Sequence, residues 1–362
     1  MTDLTIAFGR VAFVMLFVLN VGGILTWVER KQSAIMQDRI GANRASIFGL
    51  RLMGLFHPLA DAIKMLTKED VRPARADRFL FTLAPFVSVV FALAAFASIP
   101  FGDTLRVGGR EIPLQAVTLD VGILYVFAML SLGVYGVMMA GWASANNFAL
   151  LGGQRAAALM ISAEIAIGAS IMGVIMVYGS LNMQDIVRAQ GQHLGGWLPL
   201  WGIVTQPLAF VLFVTAGIAA TKRIPFDTPE GESEIIGYFV EYSGMKFGMF
   251  AMADFLETVV IAGMTTALFL GGWQVPWLQA DGFHVPGVGT LPVPHLLVVV
   301  LQVGAFVVKV SAVIFLLMLI RWTLPRFRYD QAMRLGWLGL FPLSILNIVV
   351  TGLVLQAVRG PA

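Results

Sequence analysis

The sequence predicts an all-α polytopic membrane protein with eight transmembrane helices, a cytoplasmic-side amphipathic helix and both termini on the periplasmic side. Three observations carry this. Of the 362 residues, 58% are hydrophobic and only 12% are charged, whereas soluble domains run at about 45–50% and a quarter. Eight apolar stretches approach the roughly 20 helical residues that cross a bilayer, where no lipid group can satisfy an open backbone. Lys and Arg alternate between the connections, 18 on one set and five on the termini and the other set, an asymmetry that puts the basic set in the cytoplasm. Composition excludes an ordinary soluble enzyme, a disordered chain and a fibrous repeat. A net charge of +3 is too small to indicate nucleic acid. Residues 1–362 read as one membrane domain.

The apolar stretches cover about 11–28, 79–99, 121–140, 156–178, 204–220, 246–270, 296–320 and 336–357. The first lacks a basic leader, and Trp27-Val28-Glu29-Arg30-Lys31 follows it in place of a cleavage site, so it reads as a retained span. Connection 29–78 contains an apolar helical stripe of Leu52, Leu55, Phe56, Leu59, Ile63 and Leu66, with Arg51, Asp61, Lys64 and Lys68 elsewhere on the circumference. Pro58 bends or splits it. Too short to span, this helix is expected in the membrane interface or packed on a partner protein. Connections 100–120 and 271–295 are rich in Gly and Pro and read as exposed turns. Neither a fixed-period repeat nor the paired interrupted spans of an inverted-repeat transporter is visible.

The chemistry is narrow. There is no Cys, which excludes thiolate zinc and Cys-ligated iron–sulfur clusters, and the four His stand far apart. Any redox centre therefore belongs to a partner protein. Glu164 falls in the fourth span, Asp254 and Glu257 at i and i+3 in the sixth, and Lys309 in the seventh. Each such charge costs about 2.5–3.5 kcal/mol on insertion scales. Together they favour a polar channel through the bundle, private ion pairing being the alternative. The connection at 221–245 carries Asp227, Glu230, Glu232, Glu234 and Glu241, interleaved with Ile235, Ile236, Tyr238, Phe239 and Val240. A solvated acidic loop would not hold so many apolar residues. We expect it folded back into a partly buried cavity, where clustered carboxylates raise one another's proton affinity and share protons.

These residues resemble one family of membrane subunits, the H-type subunit of NADH–quinone oxidoreductase, respiratory complex I. The matching segments are Glu29-Arg30-Lys31 with Arg39-Ile40-Gly41; Pro58-Leu59-Ala60-Asp61-Ala62-Ile63-Lys64; Gly141-Trp142-Ala143-Ser144; Ile161-Ser162-Ala163-Glu164; Pro225-Phe226-Asp227 with Glu230-Gly231-Glu232-Ser233-Glu234; Glu241-Tyr242-Ser243-Gly244; and Leu324-Pro325-Arg326-Phe327-Arg328-Tyr329-Asp330-Gln331. They occur in family order over nearly the whole chain. The resemblance implies a bacterial inner-membrane protein placed where the membrane arm of the complex meets the peripheral arm. It would take ubiquinone or menaquinone through an opening framed by spans one and six and the interfacial helix. By position, Arg30, Arg39, Phe226 and Arg321 would line or support the quinone tunnel. Asp227, Glu230, Glu232, Glu234, Glu241, Asp254, Glu257 and Glu164 would begin the proton-coupling chain. The chain itself would bind no cofactor, with FMN and iron–sulfur clusters held by peripheral partners and small and antiporter-like subunits beside it in the membrane.

The chain departs from the family pattern where Glu-Thr-Asn-Arg becomes Ala220-Thr221-Lys222-Arg223 and where Glu257 replaces a neutral polar residue. Glu257 could offset the lost acid, or the chain could serve a variant complex. Two other readings stay open on sequence: the equivalent subunit of an energy-converting hydrogenase or a complex with another electron donor, and an independent ion-coupled transporter.

Overall fold

The computed structural model describes residues 3–359 except 108, 195–196, 232–234, 236, 280 and 286–288. The long helices are α1 (Asp3–Met36), α3 (Arg78–Ala95), α4 (Gly122–Ala143), α5 (Asn147–Tyr178), α9 (Gly244–Phe269), α10 (His295–Thr323) and a last pair, α11 (Tyr329–Arg334) and α12 (Phe341–Arg359), joined by a π-helical turn at Leu335–Leu340. Between them lie α2 (His57–Thr67), α6 (Met183–Ala189), α7 (Gly202–Thr205) and α8 (Pro207–Ala220). Counting the last pair as one, seven helices among the described residues are long and apolar enough to cross a membrane. The protein is thus a multi-pass helical membrane protein. Several expected spans grow at their ends, because caps outside the apolar stretch carry the helix on. Asp77 accepts from Leu80 N to start α3, and Asn146 accepts from Phe148 N to start α5, nine residues before the apolar stretch expected there.

The fifth stretch is the exception. Pro207 restarts the helix after Gln206, leaving α8 with 14 residues, or about 21 Å at 1.5 Å per residue. The break is supported from the side: Gln206 donates to Thr351 Oγ1 at 2.9 Å and accepts from Asn347 Nδ2 at 2.9 Å.

The connections gather at two ends. At the basic end, Asp77 N donates to Ala143 O, Val71 N to Ser243 Oγ and Phe327 N to Pro225 O, so four connections interlock. At the other end, the β1–β2 hairpin (Thr104–Val107, Arg110–Pro113) abuts α10 through Arg106 N and His295 Nε2. The strand pair β3–β4 (His193–Leu194, Leu198–Pro199) and the small sheet β5–β7 (Leu278–Gln279, Gly282–Val285, Gly289–Pro292) lie in the connections on that side. Small residues let the helices close up. A Cβ on Gly136 would meet Ser88 N at 2.8 Å, so α3 and α4 touch backbone to backbone.

The stripe expected from Leu52 onward is not one helix. Leu52 and Met53 adopt left-handed backbone, and α2 begins only at His57 with Pro58 in its first turn, where a missing N–H costs nothing. Leu59, Ile63 and Leu66 remain at least half exposed. Met65 of α2 packs over Gly248 of α9, and Asp61 reaches Arg30 of α1 at 2.7 Å, so α2 lies across both helices.

Candidate functional site: a buried charge chamber

The described residues of 221–243 fold back against the bundle, in keeping with their apolar content. Phe226, Thr228, Ile235, Tyr238 and Tyr242 are buried, and Tyr238 is 0% exposed. The close approach is made at Gly152 of α5, where a Cβ would stand 3.0 Å from Tyr238 N. Tyr242 stacks on Phe81 of α3 at 4.0 Å, and Phe226 packs on Phe327 at 5.4 Å.

Beneath the loop is a cavity of about 160 Å³ bounded by Glu29, Lys222, Arg223, Asp227, Glu230, Asp254 and Arg321, with Phe239, Phe247, Phe250 and Phe255 as its apolar walls. Ordinary small-molecule pockets measure roughly 300–1,000 Å³, and water occupies about 30 Å³ in the liquid. The cavity is small and lined largely by charge, and it suits a few water molecules. Its charges come in linked sets. Glu29 receives Arg223 Nη1 and Arg321 Nη1, each at 2.8 Å, while Arg223 also lies 4.3 Å over the Phe255 ring. Arg326 meets Asp227 at 2.7 Å. Lys222 reaches Asp254 at 2.9 Å and Glu257 at 3.2 Å. Glu230 is enclosed, and its Oε1 has no partner among the described residues.

Burial dominates the proton affinities of Asp227, Glu230 and Tyr238. It lifts Asp227 above the usual carboxylate range despite Arg326. Burial, with Asp254 and Asp227 close by, lifts Glu230 well above it. Tyr238 is pushed further from ionisation by burial and by the surrounding carboxylates. Such displacement at clustered groups in a cleft makes the chamber the candidate functional site.

The expected site residues divide. Asp227, Glu230, Asp254 and Arg321 converge on the chamber, and Glu257 joins through Lys222. Glu164 sits deeper, accepting from Ser131 Oγ of α4 at 2.7 Å. Glu241 accepts from Asn146 Nδ2 at 2.7 Å, the same side chain that caps α5. Phe226 supports the loop and does not line the cavity. Arg30 is half exposed and pairs with Asp61 outside the chamber, and Arg39 is exposed beside Gln37. Glu232 and Glu234 lie outside the described residues. Lys309 does not belong to a shared channel with the three acids. Its ammonium donates to the carbonyls of Leu270, Gly272 and Gln274 beyond the far end of α9, over Trp201, because those carbonyls have no helical partner.

The sequence pattern places none of Glu29, Lys222, Arg223 and Arg326 in the chamber; Arg326 is expected only in a docking surface for the peripheral arm. Their signal is only that they flank the acidic segment or sit at span ends, and pairing partners 99 or 194 residues apart are invisible to local pattern. An apolar crevice of about 390 Å³ opens alongside the chamber, walled by Val18, Leu25 and Val28 of α1, Val259 of α9, and Val310 and Ile314 of α10. Its upper end, Val28, adjoins Glu29.

A helical bundle in which an acidic loop lies over a charged chamber beside an apolar crevice defines a multi-pass membrane protein built around buried ion pairs. The family model described as NADH dehydrogenase matches residues 9–352. A Geobacter metallireducens protein, named as the first of that organism's H-type subunits of NADH-quinone oxidoreductase, is 44% identical over 355 residues, 98% of each chain. A Thermomicrobium roseum protein, named as the H-type subunit of NADH-quinone oxidoreductase, is 44% identical over 349 residues, covering 95% of this chain and 94% of its own. The chain belongs to this family.

Proposed function

We propose that the chain is the membrane subunit of a proton-translocating NADH–quinone oxidoreductase that guides quinone from the lipid and links its reduction to proton movement. The observation that carries this is the chamber itself. Seven charged side chains bound a small cavity, and an apolar crevice of lipid-tail character lies next to it. Quinone plus two electrons and two protons gives quinol, the electrons arriving from clusters held by peripheral partners. The head group reacts at or beyond the basic face and acts on the chamber through its field. In the apolar surroundings that field is weakly screened. Asp227 and Glu230, already inclined to hold protons, respond first, and Asp254, Glu257 and Glu164 carry the change inward. Lys309 is committed to backbone carbonyls, which counts against an independent transporter.

The same reading has α8, lengthened by α7, as an eighth crossing, both termini outside the bacterial inner membrane, and α2 lying in the interface. The basic end then faces the cytoplasm and docks the iron–sulfur partners. Glu230→Gln tests the core of it. In the assembled complex, NADH–quinone reductase activity should fall at least tenfold, the scale of a lost proton-transfer group. Electron delivery from NADH to a water-soluble acceptor should stay within twofold. An equal fall in both would make Glu230 an assembly element and defeat the proposal.

A further inference from the structure

Lys222 occupies a place that none of the expected site residues explains. It follows the last turn of α8 in left-handed backbone, φ 55°, and is 3% exposed. Asp254 and Glu257 stand one turn apart on α9 and share its ammonium, so the trio carries one net negative charge. Among the described residues, the other charged or titratable groups around it are Glu230, Asp227 and Tyr238 from the loop, Arg223 beside it, Glu29 on α1 and Arg321 on α10, with Glu164 on α5 behind Glu257. Glu29 is already held between Arg223 and Arg321, and Asp227 by Arg326.

A cation this far from water is stable only where neighbours replace its hydration. Burial favours the neutral amine, yet Asp254, Glu257 and Glu230 outweigh it and keep the lysine charged beyond its ordinary range. Lys222 is therefore a fixed charge and not a proton carrier. We infer that Lys222 positions the proton transfer by acting as the shared counter-ion of Asp254 and Glu257 and so sets the pH at which that pair accepts a proton. Negative charge appearing in the chamber competes for the ammonium, and as it turns away the pair takes up a proton. This deepens the coupling role proposed above and rests on it.

The test follows quinone reductase turnover against pH in the assembled complex, together with protons moved per quinol formed. Lys222→Met leaves two adjacent carboxylates without a cation, so the alkaline limb of the profile should rise by about one pH unit or more. Lys222→Arg keeps the charge and should leave the limb in place. Lys222→Met combined with Glu257→Gln restores one net negative charge and should return it. Glu257→Gln alone makes the trio neutral and should move it to lower pH. An unmoved limb in Lys222→Met, or one displaced as far in the double variant, overturns the inference. Where Lys222→Met does not accumulate in the membrane, Glu257→Gln and the double variant are compared, and identical limbs overturn it equally. Glu164→Gln separates the two levels. If it lowers turnover while the lysine variants leave the limb unmoved, only the role of Lys222 fails. If it too leaves turnover and proton yield unchanged, the coupling reading fails.

Discussion

At the scale of single residues, the protein's unusual step is to bury cations and anions together. Removing one member of a buried pair usually costs about 3–5 kcal/mol, because the other is left uncompensated. Glu257 is an exception: its loss leaves Lys222 with Asp254 at 2.9 Å, so Glu257→Gln should fold and assemble. If Glu257 stands in for the acid missing at Ala220, this variant should lower quinone reductase turnover about as severely as Glu164→Gln. Near-normal turnover would show that it only balances Lys222. The sequence displays the acids well, since carboxylates in an apolar run are conspicuous. It does not display their partners. The lysine after Thr221 reads like any basic residue at a span end, and only the left-handed turn at Lys222 aims it inward. A non-glycine residue in that conformation costs of order 1–3 kcal/mol, and the ion pairs to Asp254 and Glu257 hold it there.

Among the elements, the acidic loop is legible as buried because its apolar residues outnumber what a solvated segment would carry, and the structure seats Tyr238 and Ile235 accordingly. What makes room for it is not legible. Gly152 looks like one small residue among several in a span, but its missing side chain is the seat of Tyr238. Gly152→Leu should lift the loop at an overpacking cost of about 1–3 kcal/mol. Limited chymotrypsin digestion of the membrane-embedded protein reads this directly: cleavage within 221–243 should become several times faster while the transmembrane helices stay intact. Unchanged cleavage would mean that the loop is held elsewhere. The stripe over Leu52 to Phe56 fits helical spacing, but its backbone makes a tight turn and the helix begins only at His57. Spacing alone cannot see a left-handed residue.

For the molecule as a whole, the chain sorts its connections into two ends of different chemistry, and the charge count that separates them is readable from the sequence alone. The absence of Cys makes the orientation simple to measure, since an introduced thiol has no background. Arg75→Cys at the basic end should react with a membrane-impermeant maleimide only in inside-out vesicles, and Glu111→Cys on the β1–β2 hairpin only in right-side-out spheroplasts; both positions are exposed. The reverse pattern would invert the topology. Seven long apolar helices among the described residues are foreseeable, while the short α8 is not, since Pro207 and Gln206 fall inside an otherwise apolar run.

Glu29 is also a mechanical part. It is gripped at once by guanidiniums from the loop after α8 and from the end of α10, while Val28 beside it faces the crevice. On the coupling reading proposed above, a hydrophobic molecule nosing along α1 would press on a helix tied to its neighbours through one carboxylate. Sideways give in α1 would tug both guanidiniums together, so arrival of a guest in the grease would be felt as a shift of charge one residue away.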